Sequence, residues 1–287
     1  MLMTLEQRLE KMQIAIGRIE QRLSRRDADK EFSVFSQWGE DGLLDHLVSS
    51  IEIPNKAFVE FGVEDYRESN TRFLLTSGEW RGLVLDGSAE HVASIRADNV
   101  AWRYGLKATQ AFITTDNISA LIRDGGITGD IGILSVDIDG NDYWVWKAIE
   151  GIHPRIVVTE YNGLFGPTAA VTVPYKAEFT RGAAHYSNLY YGASAAALTR
   201  LANARGYVLV GGNRAGSNLF FVRRDVLGPL REVSVADAYR PACFRESRNA
   251  AGELSFLDRT EALSLIGALP VVDLDANRER SISEVVR

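Results

Sequence analysis

Acidic side chains lie at the ends of the first two predicted strands of this sequence, where they could bind a nucleoside. Glu60 and Gly62 lie at the end of the first predicted strand, and Asp86 and Ser88 lie at the end of the second. A glycine lets a ligand approach the backbone closely, and an acid at the end of the second strand can accept hydrogen bonds from both ribose hydroxyls. These four residues are therefore candidates for a nucleoside-binding site.

The charge that follows Gly62 indicates which kind of nucleoside would bind. The sequence has no G-x-G-x-x-G motif here, and it places Glu64, Asp65 and Glu68 where a pyrophosphate would have to lie. These carboxylates repel phosphate groups and attract a cation. S-adenosylmethionine, a phosphate-free nucleoside with a positive sulfonium, meets that demand, and Asn70 near the start of the next helix would hold its carboxylate.

A second acidic group follows the later strands and could bind a metal ion. Asp137 and Asp139 follow the fourth predicted strand, and Glu160 and Asn162 follow the fifth. Because Glu160 and Asn162 are two residues apart, they share one face of their strand. Hard oxygen ligands suit Mg²⁺ or Mn²⁺, so Asp137, Glu160 and Asn162 are the predicted metal ligands.

The spacing of Asp137 and Asp139 also resembles motifs of other enzymes. A calcium loop of the EF-hand type is excluded because its twelfth position is Ala148 rather than a glutamate. A metal-dependent phosphatase and a glycosyltransferase that use Asp137 and Asp139 remain alternatives. For transfer of a group to a hydroxyl, Asp137 and His185 are the candidate general bases, because a neutral alcohol is a weak nucleophile.

These side chains must be positioned by regular elements, and the rest of the sequence predicts them. Apolar strand patterns alternate with helical patterns from residue 57 onward, which predicts an α/β fold with a mainly parallel sheet. The third strand is expected near residues 100–106. The last two strands, residues 207–210 and 218–222, are joined by a glycine-rich turn and predict an antiparallel hairpin at one sheet edge.

The N-terminal segment, residues 1–26, has the apolar repeat of a coiled coil. Its apolar residues alternate in spacings of three and four: Leu2, Leu5, Leu9, Met12, Ile16, Ile19 and Leu23. Charged residues flank this stripe: Glu6, Arg8, Glu20 and Arg22. The pattern predicts a helix that forms a homo-oligomer, and a helix lying on its own domain is the alternative. The chain then divides into this helix, an α/β domain over residues 31–225 and a C-terminal extension over residues 226–287.

Composition excludes several other classes of protein. The chain has 287 residues, of which 46% are apolar and 24% charged, so it can bury a core and is not disordered. Its net charge of −6 disfavours a nucleic-acid partner. Cys243 is the only cysteine, which excludes an intramolecular disulfide. The absence of a membrane-span pattern and of a signal peptide pattern predicts a cytoplasmic protein.

Several of these motifs together resemble the class I S-adenosylmethionine-dependent methyltransferases. The resemblance is carried by Val59-Glu60-Phe61-Gly62, by residues 83–88 and by the terminal hairpin. Three further stretches are similar to a bacterial subgroup associated with the modification of sugars and surface polysaccharides: SQWGEDG at residues 36–42, SVDIDGNDYWVW at residues 135–146, and residues 159–167.

The resemblance implies a Rossmann-like seven-stranded sheet with an antiparallel last strand, in an enzyme that methylates a hydroxyl of a sugar or glycan. Glu60 and Gly62 would line the methionine end of the cofactor, Asp86 would hold the ribose with Ser88 nearby, and Asp137 would face the methyl-transfer site. The predicted metal ligands resemble those of catechol-type O-methyltransferases, in which the ion lowers the pKa of the acceptor hydroxyl. A non-catalytic oligomeric scaffold is the remaining alternative.

Overall fold

The computed structural model describes residues 4–25 and 29–286 of the chain. Its strands are β1 (Ala57–Phe61), β2 (Arg81–Asp86), β3 (Gly105–Gln110), β4 (Gly129–Val136), β5 (Ile152–Glu160), β6 (Val171–Thr172), β7 (Tyr207–Gly212), β8 (Asn218–Arg223), β9 (Pro270–Asp273) and β10 (Arg278–Ser281). Its helices are α1 (Leu5–Ser24), α2 (Glu40–Ser50), α3 (Arg72–Ser77), α4 (Ala89–Ala97), α5 (Asn99–Arg103), α6 (Ile118–Asp124), α7 (Asp142–Ala148), α8 (Arg181–Ala184), α9 (Ala195–Ala204), α10 (Val235–Ala238), α11 (Arg259–Ile266) and α12 (Ile282–Val285). Within these described ranges, no helix combines the length and the apolar character that a bilayer crossing requires.

Seven strands form one sheet in the order β3-β2-β1-β4-β5-β8-β7. β1 pairs in parallel with β2 and with β4, and β2 pairs in parallel with β3. β8 is antiparallel to both of its neighbours, β5 and β7. The predicted α/β fold, with seven strands and an antiparallel last strand, is therefore confirmed.

The third strand begins later than the sequence pattern predicted. Residues 100–106 were expected to form it, but the structure has α5 at this point and β3 starts at Gly105. Asp98 accounts for the difference, because its side chain accepts a hydrogen bond from the backbone N–H of Val100 (3.0 Å) and so caps α5. The apolar residues of this short helix were mistaken for a strand.

The described residues divide into two compact units. The first comprises residues 4–25, 29–112, 122–135 and 152–155, and the second comprises residues 113–121, 136–151 and 156–286. The division of the chain into residues 1–26, 31–225 and 226–287 stays a prediction.

In the first unit, α1 packs on its own domain through one face. Ile14 contacts a buried cluster formed by Phe32, Val34, Phe35 and Phe73. Gln21 on the same face donates a hydrogen bond from Nε2 to Asp45 Oδ1 (2.6 Å). The predicted coiled-coil stripe lies on another face and is exposed from Leu5 to Leu23. Leu2 and Arg26, the ends of the predicted segment, lie outside the described residues.

In the second unit, one core joins the segment after β5 to the end of the chain. β9 pairs antiparallel with both β6 and β10 and so forms a small three-stranded sheet. The buried cluster beside it contains Val171 and Tyr190 from the earlier segment and Ile266, Val271 and Ile282 from the later one. Residues 226–287, expected as an extension outside the domain, therefore complete the core of this unit.

Candidate functional site

Asp86 ends β2, and its carboxylate joins two loops of the first unit. Oδ2 accepts a hydrogen bond from the backbone N–H of Glu64 (2.9 Å), and Oδ1 accepts one from the backbone N–H of Ser88 (2.8 Å). The Nδ1 atom of His91 lies 3.3 Å from Oδ1. Oδ2, with one donor, has a further lone pair, and the side chain is 10% exposed. Asp86 can therefore accept an additional hydrogen bond from a ligand at this edge of the sheet.

Gly62 and Ser88 flank Asp86 in different ways. Gly62 follows β1 with a φ of +67°, a conformation that favours glycine, and its N–H donates to the carbonyl of Leu85 (3.0 Å). Ser88 is the N-cap of α4, where its Oγ accepts a hydrogen bond from the backbone N–H of His91 (3.2 Å). The Ser88 hydroxyl thus stabilises the start of a helix, and Gly62 leaves open backbone beside Asp86.

Glu60 is buried and acts within the structure as a positioning residue. One carboxylate oxygen accepts a hydrogen bond from the backbone N–H of Asn70 (2.8 Å), and the other accepts bonds from the backbone N–H (3.2 Å) and the hydroxyl of Thr71. The Asn70 side chain donates to Ser135 Oγ (3.1 Å). Burial raises the pKa of Glu60 to about 7. The structure brings Glu60 and Asn70 together, with the carboxylate ordering the turn that carries Asn70.

Asp41, to which sequence reasoning gave no role, orders a neighbouring loop of the first unit. Its Oδ2 accepts hydrogen bonds from the backbone N–H groups of Val34 (2.7 Å), Phe35 (2.7 Å) and Ser36 (2.9 Å). The carbonyl of Phe35 in turn accepts a hydrogen bond from the N–H of Ser69 (3.1 Å), in the loop after β1. Burial raises the pKa of Asp41 to about 6. Asp41 belongs to the SQWGEDG stretch, so that stretch supports the loop that precedes Asn70.

Three carboxylates of the second unit lie together after β4 and β5. Asp137, Asp139 and Glu160 each place one oxygen within 4.8 Å of the other two. Glu160 is half-buried, and its pKa is raised well above the usual value by desolvation first and then by the charges of Asp137 and Asp139. The prediction that Asp137 and Glu160 lie close together is therefore correct.

Asn162, the third predicted metal ligand, has its side-chain amide engaged by the segment around it. Its amide nitrogen donates to the carbonyls of Leu189 (3.0 Å) and Tyr191 (3.1 Å), and its amide oxygen accepts from the N–H of Leu164 (3.0 Å). The side chain is buried and holds the segment after β5 in place. Asp139 is the third carboxylate of the cluster. The D-x-D spacing of Asp137 and Asp139 is the sequence signal that indicates it.

Asp142 holds the turn that carries the two aspartates. Its Oδ1 accepts a hydrogen bond from the N–H of Ile138 (2.8 Å), and its Oδ2 accepts one from the N–H of Gly140 (2.9 Å). Burial raises the pKa of Asp142 to about 6. Asp139 lies between these two anchors in the left-handed region, with a φ of +54°. Asp142 therefore fixes a backbone conformation that an aspartate adopts with some strain.

Arg181 is the cation that contacts the clustered carboxylates. Its Nη1 donates to Asp139 Oδ1 (2.7 Å), and its Nε donates to the carbonyl of Asn188 (2.6 Å). The guanidinium lies over the ring of Tyr191, with 3.9 Å from Cζ to the ring centroid. Arg181 follows its partner Asp139 by a long stretch of chain, so no local motif indicated this contact.

His185, a predicted general base, lies on the same segment with its ring engaged locally. Its Nδ1 hydrogen bonds with Ser187 Oγ (2.7 Å) and accepts from the Ser187 backbone N–H (3.3 Å). Burial lowers the pKa of His185, which favours the neutral ring. With Nδ1 as the acceptor, the neutral ring carries its proton on Nε2. In this tautomer Nε2 has no lone pair with which to accept a proton.

Comparison with known proteins gave structural neighbours only. No protein-family model and no curated protein matches the chain. The N-terminal domain of EvdMO1 with S-adenosylhomocysteine bound is similar over 72% of this chain and 96% of that one, with 11% identity and a TM-score of 0.41. An S-adenosylmethionine-dependent methyltransferase from Clostridium acetobutylicum ATCC 824 is similar over 72% of this chain and 97% of that one, with 10% identity and a TM-score of 0.41.

The strand order of the sheet identifies the fold. Two parallel-paired strands, β2 and β3, lie outward from β1 on one side, and β8 is inserted antiparallel between β5 and the edge strand β7. The chain has the class I methyltransferase fold. In an open α/β sheet, ligands bind beyond the carboxyl ends of the strands. Gly62 and Asp86 lie at the carboxyl ends of β1 and β2.

The cluster of three carboxylates after β4 and β5 is suited to a divalent cation. Asp137, Asp139 and Glu160 supply hard oxygen donors, which Mg²⁺ and Mn²⁺ prefer. Glu160 Oε2 is buried and makes no hydrogen bond within the described part of the chain. Burying such an oxygen without a partner is costly. The donor set and this oxygen therefore fit a bound cation.

Proposed function

We propose that this chain is an S-adenosylmethionine-dependent O-methyltransferase, with a hydroxyl of a sugar or glycan as its acceptor. The observation that carries the proposal is the geometry of Asp86, a nearly buried carboxylate at the end of β2 whose two oxygens are held by the loops after β1 and β2. A carboxylate fixed in this way, with a lone pair of Oδ2 still open, is prepared to accept a hydrogen bond from a ribose hydroxyl, because its own orientation is already set.

The charge around Asp86 supports S-adenosylmethionine rather than a dinucleotide. Glu64, Asp65 and Glu68 lie in the loop that follows Gly62, and this loop would repel a pyrophosphate. A sulfonium is attracted by the same charges. Phe112, which is 48% exposed, lies beside Gly87 and offers an aromatic face to an adenine ring.

When bound, S-adenosylmethionine supplies the methyl group that the acceptor oxygen takes. The residues of the chain bind and orient the reactants. Asp86 fixes the ribose, Asn70 meets the methionine carboxylate through its ordered turn, and Glu60 holds that turn through Asn70 and Thr71. Glu60 therefore acts on the cofactor indirectly, and Gly62 provides the close backbone approach.

The acceptor hydroxyl must lose a proton, and we assign that step to the carboxylate cluster. Asp137, with Glu160 beside it, is the group proposed to accept the hydroxyl proton. Asp137, Asp139 and Glu160 would also hold Mg²⁺ or Mn²⁺, which lowers the pKa of a hydroxyl that it binds. His185 is less suited to the role because its Nδ1 is engaged by Ser187. The sugar acceptor rests on the motif resemblance at residues 36–42, 135–146 and 159–167.

Calorimetric titration with S-adenosylhomocysteine tests the cofactor assignment. The unaltered chain should bind, and Asp86→Asn should weaken binding at least about tenfold, because it removes a charge-assisted hydrogen bond. Asp124→Asn, which alters an exposed aspartate at the end of α6, is the matched control and should bind as the unaltered chain does. Circular dichroism checks that both variants are folded. Equal affinity in Asp86→Asn and the unaltered chain would contradict the assignment.

Manganese binding, followed by electron paramagnetic resonance, tests the metal separately. Glu160→Gln should lower the affinity for Mn²⁺ strongly, whereas Glu150→Gln, an exposed control, should not.

If the unaltered chain binds no nucleoside, an activity measurement distinguishes the two alternative functions, a metal-dependent enzyme and a non-catalytic scaffold. A phosphatase or glycosyltransferase would lose turnover in Asp139→Ala, and a scaffold would have no turnover to lose.

A further inference from the structure

One stripe of α1 exposes large apolar side chains along the whole helix. Its six described members are between 56% and 74% exposed: Leu5, Leu9, Met12, Ile16, Ile19 and Leu23. They occupy the a and d positions of a heptad repeat, the positions that meet in a coiled coil. A continuous apolar stripe of this length on a monomer marks an interaction surface.

The opposite face of α1 is already used by the chain itself, so the stripe is not part of the core. Gly17 is buried against Val34 and Phe73. Glu10 accepts a hydrogen bond from Arg72 Nη2 (2.6 Å), and Gln13 donates one to the carbonyl of Val34. These contacts fix the helix on the first unit and turn the a and d positions outward.

We infer that α1 pairs in parallel with α1 of a second copy of this chain, in a two-stranded coiled coil. The charges beside the stripe favour this partner and this orientation. On one side lie the e positions, Gln13 and Glu20, and on the other lie the g positions, Arg8 and Arg22. In a parallel pair each g position faces the e position five residues later in the partner, which places Arg8 opposite Gln13 and Ala15 opposite Glu20 and opposes no like charges.

An antiparallel pair would bring like charges together. In that arrangement g positions face g positions, so the edge with Arg8 and Arg22 would face its own copy. The edge with Glu20 would do the same. Like charges across a coiled coil are unfavourable, so the charges beside the stripe favour a parallel over an antiparallel copy.

The way α1 is held also favours pairing. A 20-residue helix is marginal alone in water, but Thr4 and Gln7 form a capping box and the inner face is docked on the domain. The helix is therefore formed before a partner arrives, and association does not have to order it. The inference is independent of the proposed methyl transfer.

Sedimentation equilibrium of the full chain tests the pairing. The unaltered chain should have the mass of two copies, and Ile16→Glu should reduce it to one copy because it places a charge in the apolar stripe. Arg18→Glu, which alters an exposed residue off the stripe, is the matched control and should retain two copies. A mass of one copy for the unaltered chain, a mass above two, or an unchanged mass in Ile16→Glu would overturn the inference.

Substitutions at Ala15, a g position, test the orientation. In the parallel pair Ala15 faces Glu20 of the second copy, so Ala15→Arg should tighten the dimer and Ala15→Glu should weaken it, by about threefold each. In an antiparallel pair Ala15→Glu would face the basic edge instead, and the order of the two variants would reverse. That reversal, measured as the dimer dissociation constant, would overturn the parallel arrangement.

Discussion

Replacing Gly17 by alanine should destabilise the protein, although alanine is the better helix former. A Cβ at this position would meet Val34 and would lie 2.8 Å from Cε2 of the Phe73 ring. Both contacts are closer than side chains tolerate, so α1 or the cluster beneath it must move. The effect of the substitution therefore depends on which of two opposing contributions is larger.

The favourable contribution is helix propensity, about 1 kcal/mol in the interior of a helix. The unfavourable one is overpacking, about 1 to 3 kcal/mol. Any shift of α1 also disturbs the ion pair between Glu10 and Arg72, whose atoms are 2.6 Å apart and whose arginine is 5% exposed. We therefore expect Gly17→Ala to lower the free energy of unfolding by about 1 to 2 kcal/mol.

Urea unfolding, with hydrogen exchange of the α1 amides, measures this effect. Ala15→Gly is the matched control on the exposed side of the same helix, and it should lower stability by about 1 kcal/mol through propensity alone. The reasoning is refuted if Gly17→Ala raises stability by the propensity gain, because the helix would then not be docked as described.

Two further predictions concern side chains of the first unit. Because burial raises the pKa of Glu60 from 4.5 to about 7, the folded state keeps a proton that the unfolded state loses in this interval. The free energy of unfolding should therefore fall by about 3 kcal/mol as pH rises from 4.5 to 7. Glu60→Gln should reduce this pH dependence in urea titrations, and an unchanged pH dependence in the variant would contradict the burial of Glu60. Ser88→Ala should lower the free energy of unfolding by about 1 kcal/mol, measured by thermal unfolding, because it removes the N-cap of α4. The affinity for S-adenosylhomocysteine should change less than twofold, and a large loss of affinity would show that the hydroxyl contacts the ligand.

The features predictable from sequence were those with a local pattern. Strand periodicity gave the α/β class, and the glycine-rich turn gave the terminal hairpin. The acids that end β4 and β5 were expected to meet, and Asp137 and Glu160 do lie together. In the third strand the pattern failed, because a single capping residue, Asp98, turns the apolar segment into a helix.

What could not be predicted depends on contacts between distant parts of the chain. Arg181 reaches Asp139 from a four-residue helix, and nothing in its local sequence indicates an ion pair. Asn162 looked like a metal ligand because of its strand position, but the segment around Leu189 uses its amide. The repeat in α1 predicted the apolar stripe correctly, whereas the docked face depends on a single glycine, Gly17, that the periodicity does not reveal.

The central claim is that the loops around Asp86 bind a phosphate-free nucleoside of the S-adenosylmethionine type, and a set of parallel titrations tests it most directly. The unaltered chain would be titrated with S-adenosylmethionine, S-adenosylhomocysteine and NAD⁺ under identical conditions. The account predicts binding of the first two and none of the third, because Glu64, Asp65 and Glu68 repel a pyrophosphate. Preferential binding of NAD⁺, or the absence of binding by all three, would contradict it.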